Sequence, residues 1–195
     1  MNVYDFDQTI FDRDSSYAFF GYCLKHFPRA VLREPMEILK ASWTFFRGKD
    51  DADAAPLKET LFSFLPFLPE PESTVEAFWK ENEAGIASWY LKQKKPDDLI
   101  ISASPEFLLK PMTEKLGVSL IATPMDIYSG LILGVNCHDI EKLRRFRAEY
   151  PDAVIDQFYS DSLSDSPLAE IAREAYMVKK GSITPWPKQE NRRAE

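Results

Sequence analysis

Hydrophobic positions recur along the chain in two periods, and the change from one to the other divides it. The opening residues NVYDF place Val3, Tyr4 and Phe6 in a short apolar run that reads as a buried β-strand. From SSYAFFGYCLKHF onward the pattern turns helical. Apolar residues at 17, 20, 24 and 27 make an i, i+3, i+7 stripe, with Ser15 or Ser16 as N-cap. PRAVLREPMEILKASWTFF predicts a second helix that Pro35 should kink or divide, and RGKDDAD reads as a loop. APLKETLFSFL predicts a third helix, ended by the proline-rich PFLPEPES. TVEAFWKENEAGIASWYLKQK predicts a fourth, capped by Ser73 or Thr74, with Gly85 as its weak point.

At Pro96 the texture changes to strands alternating with helices. DLIISAS is a β-branched run of the kind found in buried parallel strands. PEFLLKPMTEKLG follows as a helix, with Ser104 as N-cap, Pro105 at its first position and Gly117 past its end. LIATPMDIY and LILGVN read as strands separated by Ser129 and Gly130, and DIEKLRRFRAEY as a helix. AVIDQFYS is a strand, SPLAEIARE a helix and AYMVKK a last strand, before a tail, PWPKQENRRAE, that should fray. The alternation predicts an α/β fold, a doubly wound and mostly parallel sheet. Residues 1–13 and 96–195 would form its core, and 14–95 an inserted cap of about four helices.

Composition narrows the partners. Hydrophobic residues make up 45%, enough for a real core. With 31 acidic against 24 basic residues, a formal charge of −7, the chain has no general attraction for nucleic acid. An anionic ligand would need local cations or a metal. Cys23 and Cys137 fit no zinc spacing and read as small buried thiols. The N-terminus lacks a signal-peptide pattern, and no run of apolar residues suits a transmembrane segment. The expected setting is a reducing cytoplasm.

In open α/β sheets ligands bind beyond the carboxyl ends of the strands. The first strand ends with Asp5, Asp7 and Thr9; strand alternation points the two acids the same way. DLIISAS ends with Ser102 and Ser104, AVIDQFYS runs into Asp161 and Asp165, and Lys142 lies in the helix before that strand. Acids, hydroxyls and a lysine at one edge suit phosphoryl transfer with Mg²⁺, which takes hard oxygen ligands. Asp5 and Asp161 can supply carboxylates to the metal, and the free oxygen of Asp5 can attack phosphorus. Asp7 is placed to protonate the departing alcohol and then to activate water. A lysine and a serine hydroxyl can hold the equatorial oxygens.

Four segments resemble those of a known family and occur in its order, spanning residues 5 to 165. DFDQT matches the D-x-D-x-T signature of the haloacid dehalogenase-like (HAD) superfamily, and ISAS resembles its second motif. NCHDIEKLRRF is similar to the lysine motif of the subgroup that includes phosphoserine phosphatases, and DSLSD to its acidic motif. The resemblance implies a Rossmann-like core, a helical cap after the first motif, and a Mg²⁺-dependent phosphatase working through an aspartyl-phosphate. It makes Asp5 the nucleophile and Asp7 the acid/base. Magnesium would be held by Asp5, the carbonyl of Asp7 and Asp161, with Asp165 close by; Ser102 and Lys142 would bind phosphate.

The chain departs from the family's pattern at several positions. Gln8, Ser160 and Asp139 stand where many members have glycine. S-A-S-P replaces the S-G-G-F of phosphoserine phosphatases, while Asp14 and Lys58 occupy the regions of their cap contacts and are candidate substrate residues. S-A-S-P looks more like a branch acting on lipid phosphates. Apolar cap segments around Trp43, Phe45, Phe46 and LFSFLPFL would suit a lipid tail, with transient contact at a membrane surface. A small organic phosphate is the other candidate substrate. The same residues would serve a phosphomutase or phosphotransferase, or a phosphate-binding protein with an idle site.

Overall fold

The computed structural model describes residues 1–33 and 54–187. The opening run forms β1 (Val3–Tyr4), followed by helices α1 (Ser15–His26), α2 (Pro28–Val31), α3 (Ala54–Leu61), α4 (Pro71–Asn82) and α5 (Ser88–Gln93). Then come β2 (Leu99–Pro105), α6 (Glu106–Leu116), β3 (Ser119–Thr123), α7 (Ile140–Glu149), β4 (Gln157–Ser160) and α8 (Ser166–Ala169). A hairpin of β5 (Glu174–Lys179) and β6 (Ser182–Pro185) closes the described chain.

The six strands form one sheet in the order β3-β2-β1-β4-β5-β6, parallel except for the β5–β6 pair. This is the expected doubly wound α/β arrangement. The short β1 is central, with Val3 level with Leu99 and Phe158, and Tyr4 level with Ile100 and Tyr159. Alternate residues enter different cores because successive side chains leave a strand on opposite faces. Val3, Leu99, Ile101 and Phe158 pack with Phe146 of α7 and Leu168 of α8. Tyr4, Ile100 and Tyr159 pack with the helices that follow β1 and with α6. On that face Tyr4 stacks on Tyr159, and Tyr159 on Tyr176, each at 5.0 Å, while Tyr90 of α5 meets Tyr4 edge-on at 4.9 Å. Among the described residues no helix is long and apolar enough to cross a membrane.

Several local expectations are corrected. LILGVN is not a strand: one bridge, Met125 to Ile132, is all it makes, and Leu131, Leu133 and Val135 are exposed. Gly130 and Gly134 turn the chain there at φ 73° and 130°. The stripe at 17, 20, 24 and 27 is not the buried face of α1; Ser15, Ser16, Phe19 and Cys23 are. The N-cap is Asp14, whose carboxylate accepts from the Tyr17 amide at 2.9 Å. The long fourth helix is two, α4 starting at Pro71 and α5 at Ser88, divided by a 3₁₀ turn at Glu83–Gly85. A side chain on Gly85 would collide with the Phe11 ring and the Asp12 carboxylate. Predicted helix 166–174 shrinks to α8, and β6 was not foreseen; Lys180 and Gly181, at φ 51° and 79°, make its turn.

LFSFLPFL does not line a groove either. Leu61, Phe62, Phe64, Leu65 and Leu68 are all buried, Phe62 and Phe64 packing around Phe19. Trp43, Phe45, Phe46, the kink at Pro35, the RGKDDAD loop and the tail beyond 187 lie outside the described residues.

Two of the three positions where the chain departs from glycine have positive φ: Gln8 at 55° and Asp139 at 52°, the latter with ψ −129°. That region strongly favours glycine, and a side chain held there costs about 1–3 kcal/mol. Asp139 is exposed and makes no side-chain cap bond to α7. Asp139→Gly should therefore stabilise the protein by about 1 kcal/mol, seen as a higher denaturant midpoint with unchanged slope. A lower midpoint would show that the Asp139 side chain contributes more than its backbone costs.

Candidate active site

Carrying the register of β1 one residue further brings Asp5 to the carboxyl edge of the sheet, its amide still bonded to the Tyr159 carbonyl at 2.8 Å. Lys142, in the first turn of α7, reaches over this edge. Its ammonium donates to Asp5 Oδ1 at 2.7 Å and to Asp165 Oδ2 at 2.8 Å, all three side chains being buried. Ser160, at the end of β4, donates to the same Asp165 oxygen at 2.6 Å. Asp165 Oδ1 is buried and has no partner among the described residues.

Asp7 does not join this group. Its Oδ1 accepts from the Ser15 amide at 2.8 Å, at the N-terminus of α1, and its Oδ2 from Ser104 Oγ at 2.5 Å. Ser102 is buried and its Oγ accepts from the Ser104 amide at 3.1 Å. The ladder register of β2 shifts between Ile101 and Pro105, the stretch that carries both serines. Such irregularities re-aim side chains at sheet ends. Asp161 forms no bond to Lys142; its backbone carbonyl accepts from Lys179. Lys58, from α3, donates to the Ala103 carbonyl at 2.5 Å and to Asn136 Oδ1 at 2.6 Å. Asp14, besides capping α1, acts electrostatically on both Asp7 and Lys58.

The expectation of Ser104 as the cap of α6 is corrected. The helix starts at Glu106, Pro105 takes the cap position, and no side chain caps it. Ser104 instead faces Asp7. Its spacing from Ser102 was the available signal, since residues two apart in a strand share a face. Ser160 and Asn136 also enter the site, and the sequence marks the first only by its departure from glycine.

Charge dominates the chemistry. Among the described residues five carboxylates, Asp5, Asp7, Asp14, Asp161 and Asp165, share the region with three ammoniums, Lys58, Lys142 and Lys179. Burial pushes the Asp5 carboxyl up to about 8; Lys142 opposes this, and Asp165 and Asp161 add to it. Burial and the Asp14 charge raise Asp7 to about 7, against the hydrogen bonds from Ser104 and Ser15. Burial also raises Asp14 and Asp161. It disfavours the charge on Lys142, but Asp165 and Asp5 outweigh it and hold that ammonium above its ordinary range. Among the described residues Lys58 has no carboxylate in contact, and burial lowers it to about 8. With one ammonium shared by two carboxylates, the lysine stays charged and the surplus acid is driven toward neutrality.

Among the described residues no three His, Cys, Asp or Glu side chains converge as a ready metal cage. A hard cation that keeps its waters needs only one or two carboxylates. The oxygens of Asp5, Asp161 and Asp165, one of them buried without a partner, fit such an ion by donor type and by charge.

A family model described as haloacid dehalogenase-like hydrolase matches residues 3–170. Protein CicA of Caulobacter vibrioides is 28% identical, the match covering 92% of this chain and 86% of that protein. A Bordetella pertussis Tohama I protein of unknown function superposes with a TM-score of 0.71 at 20% identity, covering 90% of this chain and 87% of that one. A phosphoserine phosphohydrolase-like protein of Francisella tularensis gives 0.56 at 16% identity, covering 90% and 86%. A substrate-bound phosphoserine phosphatase gives 0.53 at 16%, covering 89% and 82%. At these identities the structural likenesses establish a shared fold.

The raised Asp5 carboxyl makes stability depend on pH. An acid raised in the folded state contributes fully below its unfolded value, about 4, and the contribution is lost as pH climbs toward about 8. Without added metal, Asp5→Asn should melt higher than the unsubstituted protein at about pH 8 and by a smaller margin at about pH 5. Equal margins at both pH values would mean that burial of the Asp5 charge is not what strains the site.

Proposed function

Because the chain belongs to the haloacid dehalogenase-like hydrolase family, we propose that it is a Mg²⁺-dependent phosphomonoester hydrolase with Asp5 as nucleophile. The observation that carries the proposal is the surplus of buried carboxylate around Asp5, whose only ammonium contact among the described residues, Lys142, is already shared with Asp165. A dianionic phosphate cannot approach such a site without an added cation. Asp5, Asp161 and Asp165, with the carbonyl of Asp7, would hold Mg²⁺, which when bound supplies the positive charge that a carboxylate nucleophile and a phosphoryl group both require.

The chain's own groups then divide the work. A carboxylate oxygen of Asp5 attacks phosphorus in line as the ester P–O bond breaks, giving an aspartyl-phosphate. Lys142 and the Ser102 hydroxyl, whose oxygen accepts from the Ser104 amide and keeps its proton for a donor role, hold phosphoryl oxygens where charge develops. Asp7, pushed to about 7, gives its proton to the departing alkoxide. It then takes a proton from the water that attacks phosphorus, releasing phosphate and restoring Asp5.

Residues 1–13 and 96–195 would act as the catalytic core, and 14–95 as a cap that screens the site. Asp14 and Lys58 remain the candidate substrate contacts from the cap; among the described residues Lys58 has only neutral acceptors at its ammonium. We place the substrate among small organic phosphomonoesters. The phosphoserine phosphatases among the solved neighbours favour that class, and the LFSFLPFL side chains expected to cradle a lipid are packed away.

A panel of p-nitrophenyl phosphate, phosphoserine, sugar phosphates and phosphatidylglycerophosphate tests this directly. Turnover should require Mg²⁺, stop with chelator, and favour soluble esters. Asp5→Asn should lower kcat by ~10³-fold or more, and Asp7→Asn by about 10²–10⁴-fold. Full activity in chelator would sink the metal assignment, and retained turnover in Asp5→Asn would sink the nucleophile.

A further inference from the structure

One group of polar side chains at the site has no role in the steps above. Ser104 Oγ lies 2.5 Å from Asp7 Oδ2, 3.1 Å from Ser15 Oγ and 3.2 Å from Ser16 Oγ, with all three serines buried. A hydroxyl has one proton to donate and two lone pairs to accept with. When Asp7 is ionised, ready to take the proton of the attacking water, its oxygen can only accept, so the Ser104 proton goes to it. Ser15 and Ser16 must then donate to Ser104, whose capacity is filled. Every hydrogen bond in the group points toward Asp7, and bonds chained in one direction reinforce each other. The Ser15 amide meanwhile holds the other Asp7 oxygen at 2.8 Å. Each carboxylate oxygen is thus pinned by one donor, from β2 on one side and α1 on the other. The plane of the carboxyl is set, and a lone pair on each oxygen is left free.

We propose that Ser104, backed by Ser15 and Ser16, is the positioning group that aims the Asp7 carboxyl for proton transfer. The inference rests on the phosphatase assignment above and extends it to Ser15 and Ser16, outside the four motifs, and to the second serine of ISAS. Ser104 touches neither phosphate nor leaving group; it acts through Asp7. Proton transfer requires hydrogen-bond geometry in the transition state, so a carboxyl released to rotate loses rate rather than substrate affinity. The same contacts make that geometry depend on α1 being seated against β2. Proton transfer is thereby tied to the docking of the first inserted helix.

The test is a double-substitution cycle measured with p-nitrophenyl phosphate and β-glycerophosphate in saturating Mg²⁺. Ser104→Ala should lower kcat about 10–100-fold with KM within about twofold, and Ser104→Thr should recover most of the loss. In the Asp7→Asn background, adding Ser104→Ala should cost less than about twofold, because the residue it serves is already disabled. Multiplicative losses in that background would overturn the proposal, as would an unchanged kcat in Ser104→Ala. Should Ser104→Ala fail to melt cooperatively, Ser16→Ala decides: it should lower kcat about 2–5-fold at constant KM, and an unchanged kcat overturns the proposal. A wild type without turnover on any ester sinks the phosphatase assignment and this proposal with it; an active wild type with additive losses sinks this one alone.

Discussion

The ammonium of Lys142, held between Asp5 and Asp165, is the interaction on which the site's architecture depends. Three segments distant in sequence meet there: the end of the central strand, the first turn of α7 and the 3₁₀ turn after β4. A buried ammonium is tolerable only when a carboxylate balances it, and Lys142 has two. The two-residue β1 gains little from its own ladder. Its position is held instead by neighbours on both sides, by the Tyr4–Tyr159 stack and by the lysine that clasps the residue after it.

The helices that follow β1 share an apolar core with one face of the sheet. A single apolar cluster runs from Tyr4, Ile100 and Leu108 to Phe19, Phe62, Phe78 and Tyr90. Polar contacts stitch the same boundary: Trp79 donates to the Leu108 carbonyl at 2.6 Å, the Ile132 amide to Glu59 at 3.0 Å, and Lys58 to the chain between the two site serines. Side chains that a tally of aromatic residues would offer to a ligand are spent on this packing. The aromatic faces satisfy one another at 4.8–6.4 Å in edge and stacked contacts, and burying them is worth more than leaving them to line a groove.

Backbone strain gathers where the chemistry is placed. Gln8 follows Asp7 directly, and Asp139 precedes α7 and the lysine it carries. Both hold a positive φ without being glycine, so the surrounding hydrogen bonds must enforce it: the Gln8 amide donates to the Arg13 carbonyl, and the Asp139 carbonyl accepts from the Lys142 amide at 3.0 Å. The turn that carries Lys142 to Asp5 is therefore set by backbone bonding, and side-chain preference at these two positions opposes it.

Periodicity and motif order determine a good deal by themselves. The β-branched runs around 99–101, the helix carrying Lys142 and the change of texture at Pro96 are local properties, and each appears as predicted because strand and helix periods survive any packing. The acids at 5, 7, 161 and 165, Ser102 and Lys142 are legible as a group because strand ends in such sheets share an edge. Which of them touch was decided only by the tertiary structure. It joined Asp5 to Lys142 and Asp165, turned Asp7 away to Ser104, and made Asp14 a cap. It also buried the hydroxyl face of α1 in place of its apolar stripe, and dissolved LILGVN into a turn between two glycines. The physical reason is common to these cases. A hydrogen bond between buried groups needs a partner from elsewhere in the chain, and no local pattern encodes which partner arrives.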